Sequence, residues 1–340
     1  MSFSPPRTLP RRSVAQEGVA HGAVAGSAVA DTLVRVPARA ETRYRPRHEL
    51  DLMRTVGFQR RGGTDPTMLI VGGVIWRALR TPAGPAVLAL RQSADGVLAA
   101  AWGSGAGEAL DTVPRLCGAE DQPQLFEPGD NSIIAEAHRR HPGLRIGATA
   151  GLAEVIVTAV LEQKVTAMQA YGAWRYLVTR YGEAVPSPAP RQLRVAPTWD
   201  QWRRIPSWAW HRAGVEPPQS RTIVAAAARG SSLLDAVRNA PDAVERERVL
   251  TSLTGVGPWT SAEVRIRAFG DPDAVSVGDF HLAHHVGHAL AGRRTDDAGM
   301  LRLLAPWEGQ RQRVIRLIGV AGLGEPRRAP RLHPEDHRDR

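Results

Sequence analysis

The spacing of apolar side chains changes character along this chain of 340 residues. Between positions 67 and 102 the apolar residues fall in three short segments, Met68 to Trp76, Ala86 to Leu90 and Val97 to Trp102. Pro82-Ala83-Gly84-Pro85 separates the first two, and Asp95-Gly96, a favoured hairpin pair, precedes the third. The pattern predicts a small antiparallel sheet, with a helix near Leu110 to Leu116.

From Asn131 onward apolar residues recur at three- and four-residue intervals, which is the period of a helix. One such face comprises Leu152, Val155, Ile156, Ala159 and Val160. A proline-rich connector follows at 186–197. Further helices are predicted at 199–210, 221–228, 233–237, 245–252, 301–304 and 312–318.

These two regions predict an α+β fold, in which a small N-terminal antiparallel sheet domain precedes an all-helical core. We expect a disordered basic arm at 1–40, the α+β domain at 41–128 and the helical core at 129–325. The tail at 326–340 is also predicted to be disordered. No internal repeat is apparent.

Composition narrows the class of protein. The formal charge of +10 suits a polyanionic partner, and Lys164 is the only lysine, so the basic residues are almost all arginine. No apolar run approaches 18 residues and no secretory signal is visible, which predicts a cytoplasmic protein without a membrane span. The single cysteine, Cys117, excludes an intrachain disulfide and a four-cysteine iron–sulfur cluster.

The segment 253–280, LTGVGPWTSAEVRIRAFGDPDAVSVGDF, carries the strongest functional signal. Gly255 and Gly257 permit a tight turn with positive φ and a close approach of the backbone to another molecule. Pro258 suits the first position of a helix. Backbone amides exposed at such a turn can hold a phosphate, and Asp279 follows downstream as a candidate carboxylate.

This segment resembles the helix-hairpin-helix (about 245–268) and aspartate of the DNA base-excision glycosylases. Trp259 and its spacing to Asp279 most resemble the DNA-3-methyladenine glycosylase II branch. Weaker similarity lies in His141-Pro142-Gly143-Leu144-Arg145, in the run from Leu161 to Thr166 and in Tyr181-Gly182-Glu183, and also in Tyr44-Arg45-Pro46.

The resemblance implies that double-stranded DNA carrying a damaged base is the partner, and that the enzyme acts as a monomer. Asp279 would be the catalytic carboxylate, which stabilises the positive charge that develops on the sugar. Glycosylases that also cut the strand use a lysine where this chain has Trp259, so water is the expected nucleophile and no cofactor is required. The hydrolase would be monofunctional and would act on alkylated, cationic purines.

Other residues receive roles by the same resemblance. DNA would contact the hairpin residues and the segment that fills the gap left by an extruded base, which together comprise Thr254, Gly255, Val256, Gly257, Thr260, Gln163 and Lys164. Trp259 and Trp307 would form the walls of the base pocket. The carbonyls of Thr251, Leu253 and Val256 would hold a monovalent cation.

Several alternatives stay open at this point. Asp279 could only cap the helix that follows it, Gln163 and Lys164 could be solvated polar residues, and the hairpin could belong to a non-catalytic DNA-binding protein. A glycosylase-lyase is a further alternative. We interpret the histidines at 281, 284, 285 and 288 as helix-surface residues rather than a metal site. The damaged base could be 3-methyladenine, 7-methylguanine, ethenoadenine or hypoxanthine.

Overall fold

The computed structural model describes residues 40–149 and 151–325. The arm predicted at 1–40, apart from Ala40, and the tail at 326–340 lie outside the described residues. Within the described residues, no helix combines the length and the apolar character that a bilayer crossing requires.

The N-terminal part of the chain is built on a five-stranded antiparallel sheet with the strand order β1-β5-β4-β3-β2. The strands are β1 Ala40–Tyr44, β2 Met68–Val71, β3 Val74–Thr81, β4 Gly84–Ser93 and β5 Gly96–Gly103. The apolar segment 68–76 was predicted as one unit, but it contains a turn. Gly72 and Gly73 have φ of 56° and 73°, a conformation that reverses the chain and suits glycine.

Both faces of this sheet are covered. One face packs Ile75, Leu79 and Leu88 against short helices α1 Leu52–Val56, α2 Ala106–Asp111 and α3 Val113–Leu116. On the other face Trp76 stacks on Trp102 with ring centroids 5.6 Å apart. A two-stranded ribbon, β6 Glu183–Val185 and β7 Leu193–Val195, covers these two rings. The proline-rich connector therefore contains a strand that the sequence did not reveal.

The remainder of the chain is helical. The helices are α4 Ser132–Arg140, α5 Leu152–Leu161, α6 Ala167–Tyr181, α7 Trp199–Arg204, α8 Ser207–Arg212, α9 Pro217–Asn239, α10 Ala243–Thr251, α11 Pro258–Val264, α12 Leu282–Ala291, α13 Asp297–Leu304 and α14 Arg311–Val320. The sheet followed by helices confirms the predicted α+β class.

Some predicted helix boundaries differ from those observed. The helix expected at 199–210 is two helices, because Pro206 has an extended backbone (φ −69°, ψ 153°) and starts α8. The two helices expected at 221–228 and 233–237 are joined in α9, which kinks at Gly230 (φ 52°). On α8, Trp208 is 54% exposed.

The helices form two groups with separate apolar cores. In the first group α5 packs with α6 to α9, and stacked rings of Trp174, Trp202 and Trp210 fill the centre. The same helix α5 also packs with α10 and α11. In the second group α4 packs with α12, α13 and α14. The two groups meet where α11, α12 and α14 converge.

Buried ion pairs join the sheet region to the helices. Arg77 on β3 donates to Thr149 Oγ1 at 2.9 Å and lies 3.4 Å from Glu154 Oε1 at the start of α5. Burial raises the pKa of Glu154, and Arg77 opposes this effect. Arg61 binds Glu162 and Thr158 at the other end of α5. These contacts fix both ends of α5, and with it the turn that follows at 162–166.

Candidate active site

The predicted helix-hairpin-helix is present as α10, a turn and α11. Gly255 has φ 89°, and a Cβ atom there would lie 2.0 Å from Thr222 Oγ1, so the position requires glycine for two reasons. Gly257 has φ −101° and open space around it. The prediction of positive φ at both glycines is thus right only for Gly255. Thr254 and Gly255 are exposed, whereas the side chain of Val256 is buried.

The side-chain amide nitrogen of Gln163 is tied to this turn. Its Nε2 donates to the carbonyl oxygen of Gly255 and to Thr260 Oγ1, each at 2.8 Å. These two bonds use both hydrogens of the amide nitrogen. Thr260 is 3% exposed, so its hydroxyl also lies in the interior of the protein. Direct contacts of the Gln163 amide nitrogen and the Thr260 side chain with DNA therefore do not fit the structure.

Lys164 follows Gln163 and behaves differently. It is exposed, and of the described residues other than glycine it alone has positive φ, at 54°. This left-handed conformation is unfavourable for a side-chain-bearing residue, which indicates that the surrounding turn imposes it. Arg61 holds Glu162 just before it, and the Thr166 side chain caps α6 just after it. The lysine is therefore presented at the surface beside the hairpin by a turn fixed at both ends.

Asp279 is positioned by three donors. Its Oδ1 accepts from the backbone N–H groups of His281 and Leu282, both at 2.9 Å, and its Oδ2 accepts from Trp259 Nε1 at 3.2 Å. The carboxylate thus caps the start of α12 and also bonds to the first turn of α11. The two interpretations of Asp279, helix cap and cavity carboxylate, are compatible here, because the half-buried side chain also lines a cavity.

That cavity has a volume of about 500 Å³, within the range of small-molecule sites. Its lining comprises Phe58, Glu263, Ile266, Arg267, Ser276, Asp279, His281, Leu282, His285, Val286, Gln312, Ile315, Arg316, Ile318, Gly319 and Val320. The charged groups among them were not predicted from sequence, apart from Asp279. The pair Glu263 and Arg267 stands at i,i+4 on a helix, a spacing that indicates an ion pair but not a pocket.

The two tryptophans expected in the pocket lie in different surroundings. Trp307 is 7% exposed, packs in the core between α4 and α12 to α14, and donates from Nε1 to the carbonyl oxygen of Pro128 at 3.3 Å. Trp259 bonds to Asp279 but is not among the lining residues. Trp307 is therefore a core residue in this structure, whereas Trp259 adjoins the cavity through its bond to Asp279. The aromatic ring of Phe58, contributed by the distant segment after α1, lines the cavity instead.

The four histidines at 281, 284, 285 and 288 are all exposed or part-exposed, as expected of surface residues. Two of them, His281 and His285, also line the cavity, with ring centroids 6.4 Å apart. In the described part of the chain, no group of three or more histidine, cysteine or acidic residues could hold a metal ion. At the hairpin, the Leu253 carbonyl accepts from Val256 N–H at 2.9 Å and retains one lone pair for a cation.

Comparison with known proteins gives two kinds of match, and no family model matches the chain. Over 159 residues the chain is 34% identical to a Mycobacterium tuberculosis protein described as a probable bifunctional transcriptional activator/DNA repair enzyme AlkA. The match covers 46% of this chain and only 30% of that relative.

Solved structures match over most of the chain. A 3-methyladenine DNA glycosylase from Archaeoglobus fulgidus matches with a TM-score of 0.68 and 16% identity, covering 83% of this chain and 98% of that one. A Clostridium acetobutylicum 8-oxoguanine glycosylase/lyase with bound duplex DNA matches with a TM-score of 0.58 and 11% identity, covering 84% and 99%. The chain therefore has the fold of the helix-hairpin-helix DNA glycosylases, and part of its sequence is similar to that of an AlkA DNA repair enzyme.

Proposed function

We propose that the protein is a DNA glycosylase that removes damaged bases, alkylated purines among them, from duplex DNA. The observation that carries the proposal is the position of Asp279: its carboxylate is oriented by three donors and faces a cavity large enough for a base. The exposed hairpin turn immediately precedes α11, the helix that supplies Trp259. A base turned out of the duplex would enter the cavity while the hairpin holds the backbone.

The chemistry follows from the carboxylate. Cleavage of the N-glycosidic bond develops positive charge on the deoxyribose, and an adjacent anion stabilises that charge more in the transition state than in the ground state. Asp279 also has oxygen lone pairs with which to orient the attacking water. The donors from α11 and α12 hold it in place.

In this proposal the exposed hairpin turn binds the DNA backbone. Val256 N–H is already bonded to Leu253, so the backbone amides of Gly255 and Gly257, with Thr254 beside them, are the groups offered to phosphate. Lys164 would enter the gap left by the flipped base. A monovalent cation on the carbonyls of Thr251, Leu253 and Val256 remains part of the proposal, since neutral carbonyl oxygens suit such an ion.

We further propose that the enzyme is monofunctional. Trp259 stands where strand-cutting relatives carry a lysine, and its indole N–H is engaged by Asp279. Borohydride trapping on damaged duplex is expected to give no covalent adduct. A trapped protein–DNA adduct would contradict hydrolysis by water and favour the glycosylase-lyase alternative.

The central test uses Asp279→Asn. Asparagine keeps an oxygen to cap α12 but removes the charge, so base release from methylated duplex should fall by about 100-fold or more while duplex affinity stays. Asp235→Asn is the matched control, because Asp235 is exposed on α9. Base release at the unaltered rate by Asp279→Asn would end the proposal. Duplex binding without any base release by the unmodified protein would favour the non-catalytic alternative.

A further inference from the structure

The cavity beside Asp279 contains two guanidinium groups in different electrostatic states. Arg267 is ion-paired, because its Nε donates to Glu263 Oε2 at 3.2 Å, and both side chains are largely buried. Glu263 is itself held by the Ser276 hydroxyl at 2.6 Å. Arg316 has no carboxylate within salt-bridge distance among the described residues, and its Nη2 donates to the backbone carbonyl of Arg54 at 2.6 Å.

Arg316 therefore remains an uncompensated, half-buried cation that lines the cavity. Burial and the neighbouring charge of Arg267 lower its pKa to about 10, so it stays protonated at neutral pH. A cation without a counter-ion in such a place costs free energy unless a ligand supplies acceptor oxygens or negative charge. It repels positive charge on a ligand placed beside it, whereas the Asp279 carboxylate, elsewhere in the same lining, attracts such charge.

The aromatic ring in the cavity does not favour a positively charged base either. The guanidinium carbon of Arg316 lies 3.8 Å from the centroid of the Phe58 ring, and that of Arg267 lies 4.4 Å from it. The ring already makes two cation–π contacts with the protein. An alkylated base that carries positive charge would have to compete with two fixed guanidinium groups for the same ring.

We propose that Arg316 makes this cavity selective for neutral purines that present an exocyclic carbonyl oxygen, with the deaminated 6-oxopurine hypoxanthine as the test case, over cationic methylated adenine. The inference rests on the proposed glycosylase function and sharpens its substrate class. The guanidinium N–H groups would donate to the carbonyl oxygen, a charge-assisted hydrogen bond that an adenine derivative cannot accept in the same way. The sequence-based expectation of cationic purines stays a prediction, and the same experiment tests it.

The experiment compares release of hypoxanthine from a defined duplex with release of 3-methyladenine from methylated duplex, both under single-turnover conditions with the full chain. The unmodified protein should release hypoxanthine at least about 10-fold faster. Arg316→Met keeps an unbranched apolar stem beside Phe58 and removes the charge. It should slow hypoxanthine release about 10-fold while 3-methyladenine release is unchanged or faster.

Two checks keep the outcome interpretable. Arg302→Met, an exposed arginine on α13 outside the cavity lining, removes the same charge and should leave both rates unchanged. Circular dichroism and duplex affinity of Arg316→Met should match those of the unmodified protein. Faster release of 3-methyladenine by the unmodified protein, or equal slowing of both bases by Arg316→Met, would overturn the inference alone. Release of neither base by the unmodified protein would instead overturn the proposed function.

Discussion

Trp259 Nε1 donates to Asp279 Oδ2 across 3.2 Å, which joins the first turn of α11 to the carboxylate before α12. The other carboxylate oxygen is occupied by backbone N–H groups of α12. The hairpin that is proposed to hold DNA and the group that is proposed to act on it are thus connected through one indole. The proposed phosphate contact and the position of the carboxylate are therefore linked through a single hydrogen bond.

Removal of the Trp259–Asp279 hydrogen bond should lower the rate of base release more than the affinity for duplex DNA. Trp259→Phe keeps an aromatic ring but removes the N–H, so Asp279 loses one of its three donors and gains rotational freedom. Base release should fall about 10-fold with duplex affinity unchanged, measured by single-turnover assay and fluorescence anisotropy. Trp208→Phe, at an exposed tryptophan on α8, provides the control. A loss of affinity equal to the loss of rate would show that Trp259 acts only through DNA binding.

Alanine substitutions at the two hairpin glycines should have different effects, on folding stability at Gly255 and on DNA binding at Gly257. Gly255→Ala forces a side chain into positive φ and against Thr222, so it should lower the free energy of unfolding by about 2 kcal/mol or more. Gly257→Ala meets no atom within 4 Å and should leave the thermal midpoint unchanged. It should still weaken duplex binding, because a methyl group keeps the backbone from the phosphate. Normal duplex affinity of Gly257→Ala would argue against this backbone contact.

Substitutions at Lys164 separate the effect of backbone strain on stability from the effect of the side chain on base release. Both Lys164→Ala and Lys164→Gly remove the long side chain, and only glycine relieves the left-handed backbone, by about 1 kcal/mol. Lys164→Gly should therefore be more stable to urea than Lys164→Ala, while both lose base release to the same extent. Unchanged base release and duplex affinity in both variants would exclude a role for Lys164 in filling the duplex gap.

The pH dependence of stability should include a contribution from His138. This residue on α4 packs edge-on against Phe126, and burial together with the charges of Arg313 and Arg145 lowers its pKa below 6.5. The unfolded chain therefore takes up a proton first, so the stability falls as the pH drops below about 6.5. His138→Gln should lose less stability than the unmodified protein between pH 7 and 5 in urea titrations. His48→Gln, at an exposed position, should retain the full dependence.

Part of the fold could be predicted from the turn preferences of individual residues. The hairpin at Asp95-Gly96 and the turn before β4 follow from residues that favour tight turns, and both are present. The break at Pro206 was not predicted, whereas the two helices predicted on either side of Gly230 are joined through a kink at that residue. Strand β7 was missed because its three residues gain their stability from pairing with β6 and from covering Trp76 and Trp102.

The sequence by itself determined the α+β class, the glycine hairpin and the position of Asp279 after it, because these depend on backbone preferences and on spacing within one segment. Only the tertiary structure decided what surrounds the carboxylate. Phe58, Glu263 and Arg316 come from three separate regions of the chain, and packing alone brings them to one cavity. Packing also placed Trp307 in the core and turned Gln163 toward the hairpin, since burial and hydrogen-bond partners are set by the whole fold.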